Sequence, residues 1–139
     1  MKAGYEFFEH TADVGIAAHG ATLAELFEGA ARGLVELIAE NSALEAKETR
    51  RLTVSADDAA QLLWRWLNEL LFWFSTDRFL PVQYDLETVT PTSLRGRVTG
   101  ERFDPARHVQ GREVKAITRH LLQVEQRDGT WSAQVIVDI

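Results

Sequence analysis

One segment limits the fold more than any other. From Leu62 to Phe74 the chain reads Leu-Leu-Trp-Arg-Trp-Leu-Asn-Glu-Leu-Leu-Phe-Trp-Phe, and it holds three of the four tryptophans. Asp57 or Asp58 can cap a helix start just before it, and the helix should run to about Ser75. Such a helix is apolar nearly all round, so it must be buried on more than one side. A core position is the commoner fate of such a stripe. The alternative is a helix with one aromatic face offered to a partner. Arg65, Asn68 and Glu69 make the run too short and too polar to span a bilayer, so no membrane association is expected.

The flanking segments supply the layers that this helix needs. Tyr5–Glu9 fits a short strand, His10–Asp13 a turn, and Val14–His19 a second strand closed by Gly20. Thr22 and Glu25 then form a capping box, which satisfies orphan N–H groups at a helix start. Leu23, Leu26, Phe27, Ala30, Leu34, Leu37 and Ile38 recur on one helical face, which predicts a helix from about Leu23 to Ala39. Gly29 and Gly33 weaken that helix by roughly 1 kcal/mol each relative to Ala. Close packing of helix on sheet accounts for them.

After the loop at Asn41–Ala46, Lys47–Ser55 alternates as a strand. Val82–Val89 and Ser93–Phe103 read as a hairpin around Pro91. A polar loop follows from Asp104 to Arg112. Val114–Gln126 and Thr130–Asp138 read as two further strands, joined by the Asp128-Gly129 type I′ turn. The expected architecture is a single α+β domain over residues 1–139. It is a two-layer sandwich, with a largely antiparallel sheet of about six to seven strands and two helices on one face.

Bulk properties exclude several functions. The 139 residues suffice for one core. Without Cys there are no disulfides, thiolate metal sites or thiol catalysis. The N-terminus lacks the apolar run of a signal peptide, so a cytoplasmic address is expected. Fifteen basic against twenty-one acidic residues give a net charge of −6. A nucleic-acid binder usually carries a basic excess, so direct nucleic-acid binding is not expected. No phosphate-binding loop, HExxH helix or Gly-x-Ser-x-Gly elbow is present.

Three stretches could carry chemistry. In Glu9-His10-Thr11-Ala12-Asp13, acidic and imidazole groups share a turn that could aim them at one point, or that could equally bond its own backbone. At the C-terminus, Asp138 and the carboxylate of Ile139 offer the oxygen-only chemistry that hard cations take. If the last strand pairs near the first, Asp13 completes a three-carboxylate cluster. The alternative is a solvated chain end. From Gly100 to His120, Glu101, Arg102, Asp104, Arg107, His108, Arg112, Lys115, Arg119 and His120 could bind phosphate or an acidic surface. They could also form a solvated face of mixed charge. His120 is expected to hold a local hydrogen bond, and His19 to be a surface residue.

These stretches and the two helices resemble the archease family. Tyr5-Glu6, Glu9-His10-Thr11-Ala12-Asp13-Val14-Gly15-Ile16, Gly20-x-Thr22-Leu23-x-Glu25-Leu26-Phe27 and Trp66-Leu67-Asn68-Glu69-Leu70-Leu71-Phe72 are similar to its signatures. So are Gly100-Glu101-x-Phe103-Asp104, His108, Val114-Lys115-Ala116-Ile117-Thr118 and Trp131-x-Ala133-x-Val135-Ile136-x-Asp138-Ile139. The resemblance implies a non-enzymatic accessory protein. It would activate a GTP-dependent RNA-splicing ligase by promoting its guanylylation and multiple turnover in tRNA splicing or RNA repair. A role as chaperone or modulator of a tRNA methyltransferase is the implied alternative. The resemblance also implies a divalent-metal site at Asp13, Asp138 and Ile139, the last through main-chain oxygen. Ca²⁺ is the first candidate, with Mg²⁺ or Mn²⁺ as alternatives. A metal-dependent enzyme using His10 or Glu9 as base is a further reading of the same turn. The family pattern commonly reads Thr-Tyr-His where this chain has Thr118-Arg119-His120, which alters a contact surface.

Overall fold

The computed structural model describes residues 3–10 and 13–139, and for His10 the backbone only. Its strands are β1 (Gly4–His10), β2 (Asp13–Gly20), β3 (Glu48–Ser55), β4 (Phe79–Thr90), β5 (Ser93–Arg102), β6 (Ala116–Ile117), β7 (Gln123–Arg127) and β8 (Thr130–Asp138). The helices are α1 (Leu23–Ile38) and α2 (Ala59–Asp77). Every strand pairing is antiparallel. The α+β class is as expected. The strands number eight among the described residues and divide into two sheets.

In the larger sheet β1, β2 and β8 lie side by side, and β6 and β7 share the other edge of β8. The smaller sheet has the order β3-β5-β4. The reading of Val114–Gln126 as one strand is corrected here. β6 pairs only with Val137 and Asp138, and β7 rejoins β8 from Thr130 to Gln134. Between them Leu121 takes φ 55°, a left-handed conformation that breaks the ladder. The Gln134 side chain amide donates to the Leu121 carbonyl at 2.9 Å and holds the detour in place.

Local signals formed as the sequence predicts. Thr22 and Glu25 complete the capping box, with Glu25 N–H donating to Thr22 Oγ1 at 3.1 Å. Asp58, not Asp57, caps α2 by accepting from Gln61 N–H at 2.8 Å. Asp128 and Gly129 both take positive φ, as a type I′ turn requires. The two helix glycines mark close contact. A Cβ on Gly29 would run into the Gly4 carbonyl oxygen, and one on Gly33 would lie 2.9 Å from Ile16 Cγ2.

Helix α2 is the centre of the core. Leu62, Leu63, Trp66 and Leu67 are completely buried. The Trp66 indole N–H donates to the Phe27 carbonyl of α1 at 2.9 Å, so the largest core side chain also has its polar atom satisfied. The stripe nevertheless divides. Trp64 and Trp73 are half-buried, and Phe72 is 59% exposed. Both helices touch strands of both sheets. Among the described residues no helix is long and apolar enough to cross a membrane.

Candidate functional site

The pairing of β2 with β8 brings the two ends of the chain together. Asp13 is the direct cross-strand partner of Asp138. Residues directly opposite in an antiparallel pair have Cα atoms about 4.5–5.5 Å apart and side chains on one face. Their neighbours Val14 and Val137 pack into the core. Alternation therefore puts both carboxylates on the opposite face of the sheet. Ile139 follows at once and is half-buried.

A third strand closes around this end. Ala116 pairs with Asp138 on its other side, and the Lys115 N–H donates to the Asp138 carbonyl at 2.8 Å. Lys115 thus borders the site through its main chain, while its side chain is exposed.

The donor set suits a hard cation. Two carboxylates on one face, with the main-chain oxygen of Ile139 next in line, give oxygen ligands only. The set is sparse, because the described residues contain no group of three or more His, Cys, Asp or Glu side chains able to hold a metal. Thr11, Ala12 and the His10 side chain lie outside the described residues, so the centre of the predicted turn does too. Glu9 is exposed on β1.

The third stretch divides sharply. Alternation along β5 directs Glu101 away from the core, yet it is 4% exposed because the following loop covers it. Glu101 accepts from the Glu45 N–H at 2.5 Å and pairs with Arg107, while Lys47 stands 3.6 Å away. Burial pushes its carboxyl upward, but these donors outweigh burial and hold it down at about 2. His108 is buried as well. Its Nδ1 accepts from the Asp104 N–H at 2.8 Å, which puts the ring proton of the neutral tautomer on Nε2, 3.3 Å from Glu101. The Ala106 N–H, and beside it the Arg107 guanidinium, hold the Asp104 carboxyl below its usual range.

This cluster is closed by its own loop and is not the solvated face that composition suggested at Glu101 and His108. It pins the loop to the fold, with Gly111 and Arg112 donating to the last carbonyls of α1. Arg119 lies apart from it, with its guanidinium 4.0 Å from the Trp64 ring centroid. The His120 N–H donates to Thr118 Oγ1 at 3.3 Å, and His19 is exposed.

The chain is similar to known proteins over nearly its whole length. The Archease protein family (MTH1598/TM1083) matches residues 5–139. Protein archease of Sulfolobus acidocaldarius is 38% identical, covering 97% of this chain and 98% of that one. Protein archease of Methanothermobacter thermautotrophicus is 37% identical, covering 98% and 99%. The solution structure of Methanobacterium thermoautotrophicum protein 1598 superposes with a TM-score of 0.83 at 37% identity, over 98% of this chain and 99% of that one. The crystal structure of an archease from Thermotoga maritima, described as a possible chaperone, has the same fold, with a TM-score of 0.66 at 22% identity over 95% and 94%. With residues 5–139 matched by the family model and relatives 37–38% identical over nearly the whole chain, the chain belongs to the archease family.

Proposed function

We propose that this chain is a non-catalytic accessory protein of a GTP-dependent RNA-splicing ligase. It promotes guanylylation of the ligase and so permits repeated turnover, in tRNA splicing or RNA repair, in the cytoplasm. The cross-strand pairing of Asp13 with Asp138 carries this reading, because it sets two carboxylates side by side on one face, where a hard cation would be favoured. Asp13, Asp138 and the main-chain oxygen of Ile139 would hold the ion, with Ca²⁺ first and Mg²⁺ or Mn²⁺ as alternatives. When bound, the ion supplies positive charge at an otherwise acidic edge. The chain's own residues position it, and the strands on either side of β8 fix that position.

An activator of this kind must bind the guanylylation-competent state of the ligase more tightly than the resting state. The net charge of −6 favours a protein surface over RNA as its target. The test follows transfer of label from GTP to the ligase, with and without this protein. Increased turnover with wild type, lost in Asp13→Asn, is expected. Equal turnover in both mixtures rejects the proposal. Should a tRNA methyltransferase co-purify instead and aggregate less in its presence, the chaperone role is the correct one.

A further inference from the structure

We propose that a cavity between the C-terminal ends of the two helices and the loop after β5 binds a mononucleotide, with its phosphate on Arg78 and Arg112. This site does not depend on the ligase reading.

Its volume of about 550 Å³ falls within the roughly 300–1,000 Å³ usual for small-molecule sites. Ile38 lines it from the end of α1, and Phe74 from the last turn of α2. Arg78 stands where α2 stops. The loop after β5 adds Phe103, Gln110, Arg112 and Glu113.

Charge complementarity identifies one end of the occupant. Arg32, Arg50, Arg97, Arg102 and Arg107 each pair with a carboxylate. Arg78 and Arg112 form no ion pair among the described residues, although Glu113 lines the same cavity. Two guanidinium forks at one cavity suit a phosphate, whose oxygens accept paired hydrogen bonds. The last carbonyls of α1 would oppose an anion, but they are already engaged. Ile38 accepts from the Gly111 N–H at 2.9 Å and Leu37 from the Arg112 N–H at 2.6 Å.

The apolar wall identifies the rest. A bare phosphate would leave Ile38, Phe74 and Phe103 facing water in a cavity far larger than itself. The Arg78 guanidinium stands 5.0 Å from the Phe74 ring centroid. Arg78 is exposed, so its other face is open to a second flat ring. Gln110 and Glu113 offer an amide and a carboxylate to the polar edge of a base.

Both arginines sit on fixed backbone. Arg78 takes φ 66°, a left-handed conformation that favours glycine. Its N–H donates to the Phe74 carbonyl at 2.9 Å, and its carbonyl accepts from the Phe103 N–H at 2.8 Å. Strain of this kind gathers at ligand clamps, and a phosphate gives the Arg78 side chain a role that glycine could not fill. Arg112 lies on the loop that Glu101, Arg107 and His108 pin down. A Cβ on Gly111 would run into the Leu37 carbonyl oxygen, so the loop lies tight against α1. The cavity is thus formed in advance, and little ordering opposes binding.

Titration calorimetry on the full chain tests this. Guanine presents two adjacent donors that a carboxylate can take, so guanosine monophosphate is the probe. It should bind at least about tenfold more tightly than guanosine or inorganic phosphate. Arg78→Gln and Arg112→Gln should each weaken it by about tenfold or more with the unfolding temperature unchanged. Arg95→Gln, at an exposed position outside the cavity, should bind as wild type. Magnetic resonance should show the nucleotide shifting the amides of Arg78 and Arg112. No binding, binding no tighter than phosphate, or equal binding by both glutamine variants and wild type overturns the proposal. A short RNA with a terminal phosphate that binds more tightly through the same two arginines would make an RNA end the occupant and overturn the free nucleotide.

Discussion

Asp13 and Asp138 stand directly opposite each other across the β2–β8 ladder, one from near the start of the chain and one from its last two residues. Like charges directly opposite each other in a ladder repel, and a bound cation offsets that repulsion. Saturating Ca²⁺ should stabilise the wild type, by about 2.7 kcal/mol at a hundred times its dissociation constant. It should have little effect on Asp13→Asn. Calorimetry of both proteins with chelator and with Ca²⁺ checks this. Equal shifts in the two would remove Asp13 from the site.

Trp66 joins the two helices through one hydrogen bond. In Trp66→Phe the Phe27 carbonyl loses the indole donor but keeps the N–H of its own helix. The expected cost is about 1 kcal/mol for the lost hydrogen bond, and Trp66→Ala should cost about 3–5 kcal/mol. Urea unfolding curves measure both.

Gly29 should behave against helix propensity. Alanine in an exposed helix is better than glycine by roughly 1 kcal/mol. Here the added methyl meets the Gly4 backbone, which cannot swing aside as a side chain can. Gly29→Ala should be destabilising, by about 1–3 kcal/mol after any gain in propensity. A stabilised variant would mean that β1 yields to α1 at no cost.

Glu101 makes stability depend on acid. Its carboxyl sits at about 2 in the folded chain against an ordinary 4.5. A depressed folded value means stability that is fully present above pH 4.5 and is lost as pH falls towards 2. Glu101→Gln should be less stable than wild type at pH 7, by about 1.5–3 kcal/mol for the lost charged hydrogen bonds. The difference should shrink steadily across that acid window. Thermal melts at several pH values read it directly.

Much of the fold was legible because its signals are local. A capping box needs four residues, and Thr22 to Glu25 supply them. A type I′ turn needs two, and Asp128-Gly129 stands between alternating strands. The apolar stripes of both helices repeat within a few turns. The interruption between β6 and β7 was not legible, because the residues that detour are as strand-like as their neighbours. Leu121 takes a left-handed conformation, and the side chain of Gln134 on β8 holds its carbonyl. Glu101 misleads for the same reason. Its place on β5 faces outward, and only the folded loop shows that outward is not solvent.

By itself the sequence determined the two helices, the strand alternation, the tight turn and the acidic character of both ends. Those depend on dihedral preferences and on side-chain periods of two and 3.6, which operate over a few residues. The tertiary structure alone decided that the strands form two sheets, that β2 lies against β8, and that Asp13 meets Asp138 in register. Pairing across so long a loop costs chain entropy with no local sign of where it will be recovered. It is recovered in the burial of Ile16, Val135 and Val137 beneath the helices, a collective event that no short stretch of residues encodes.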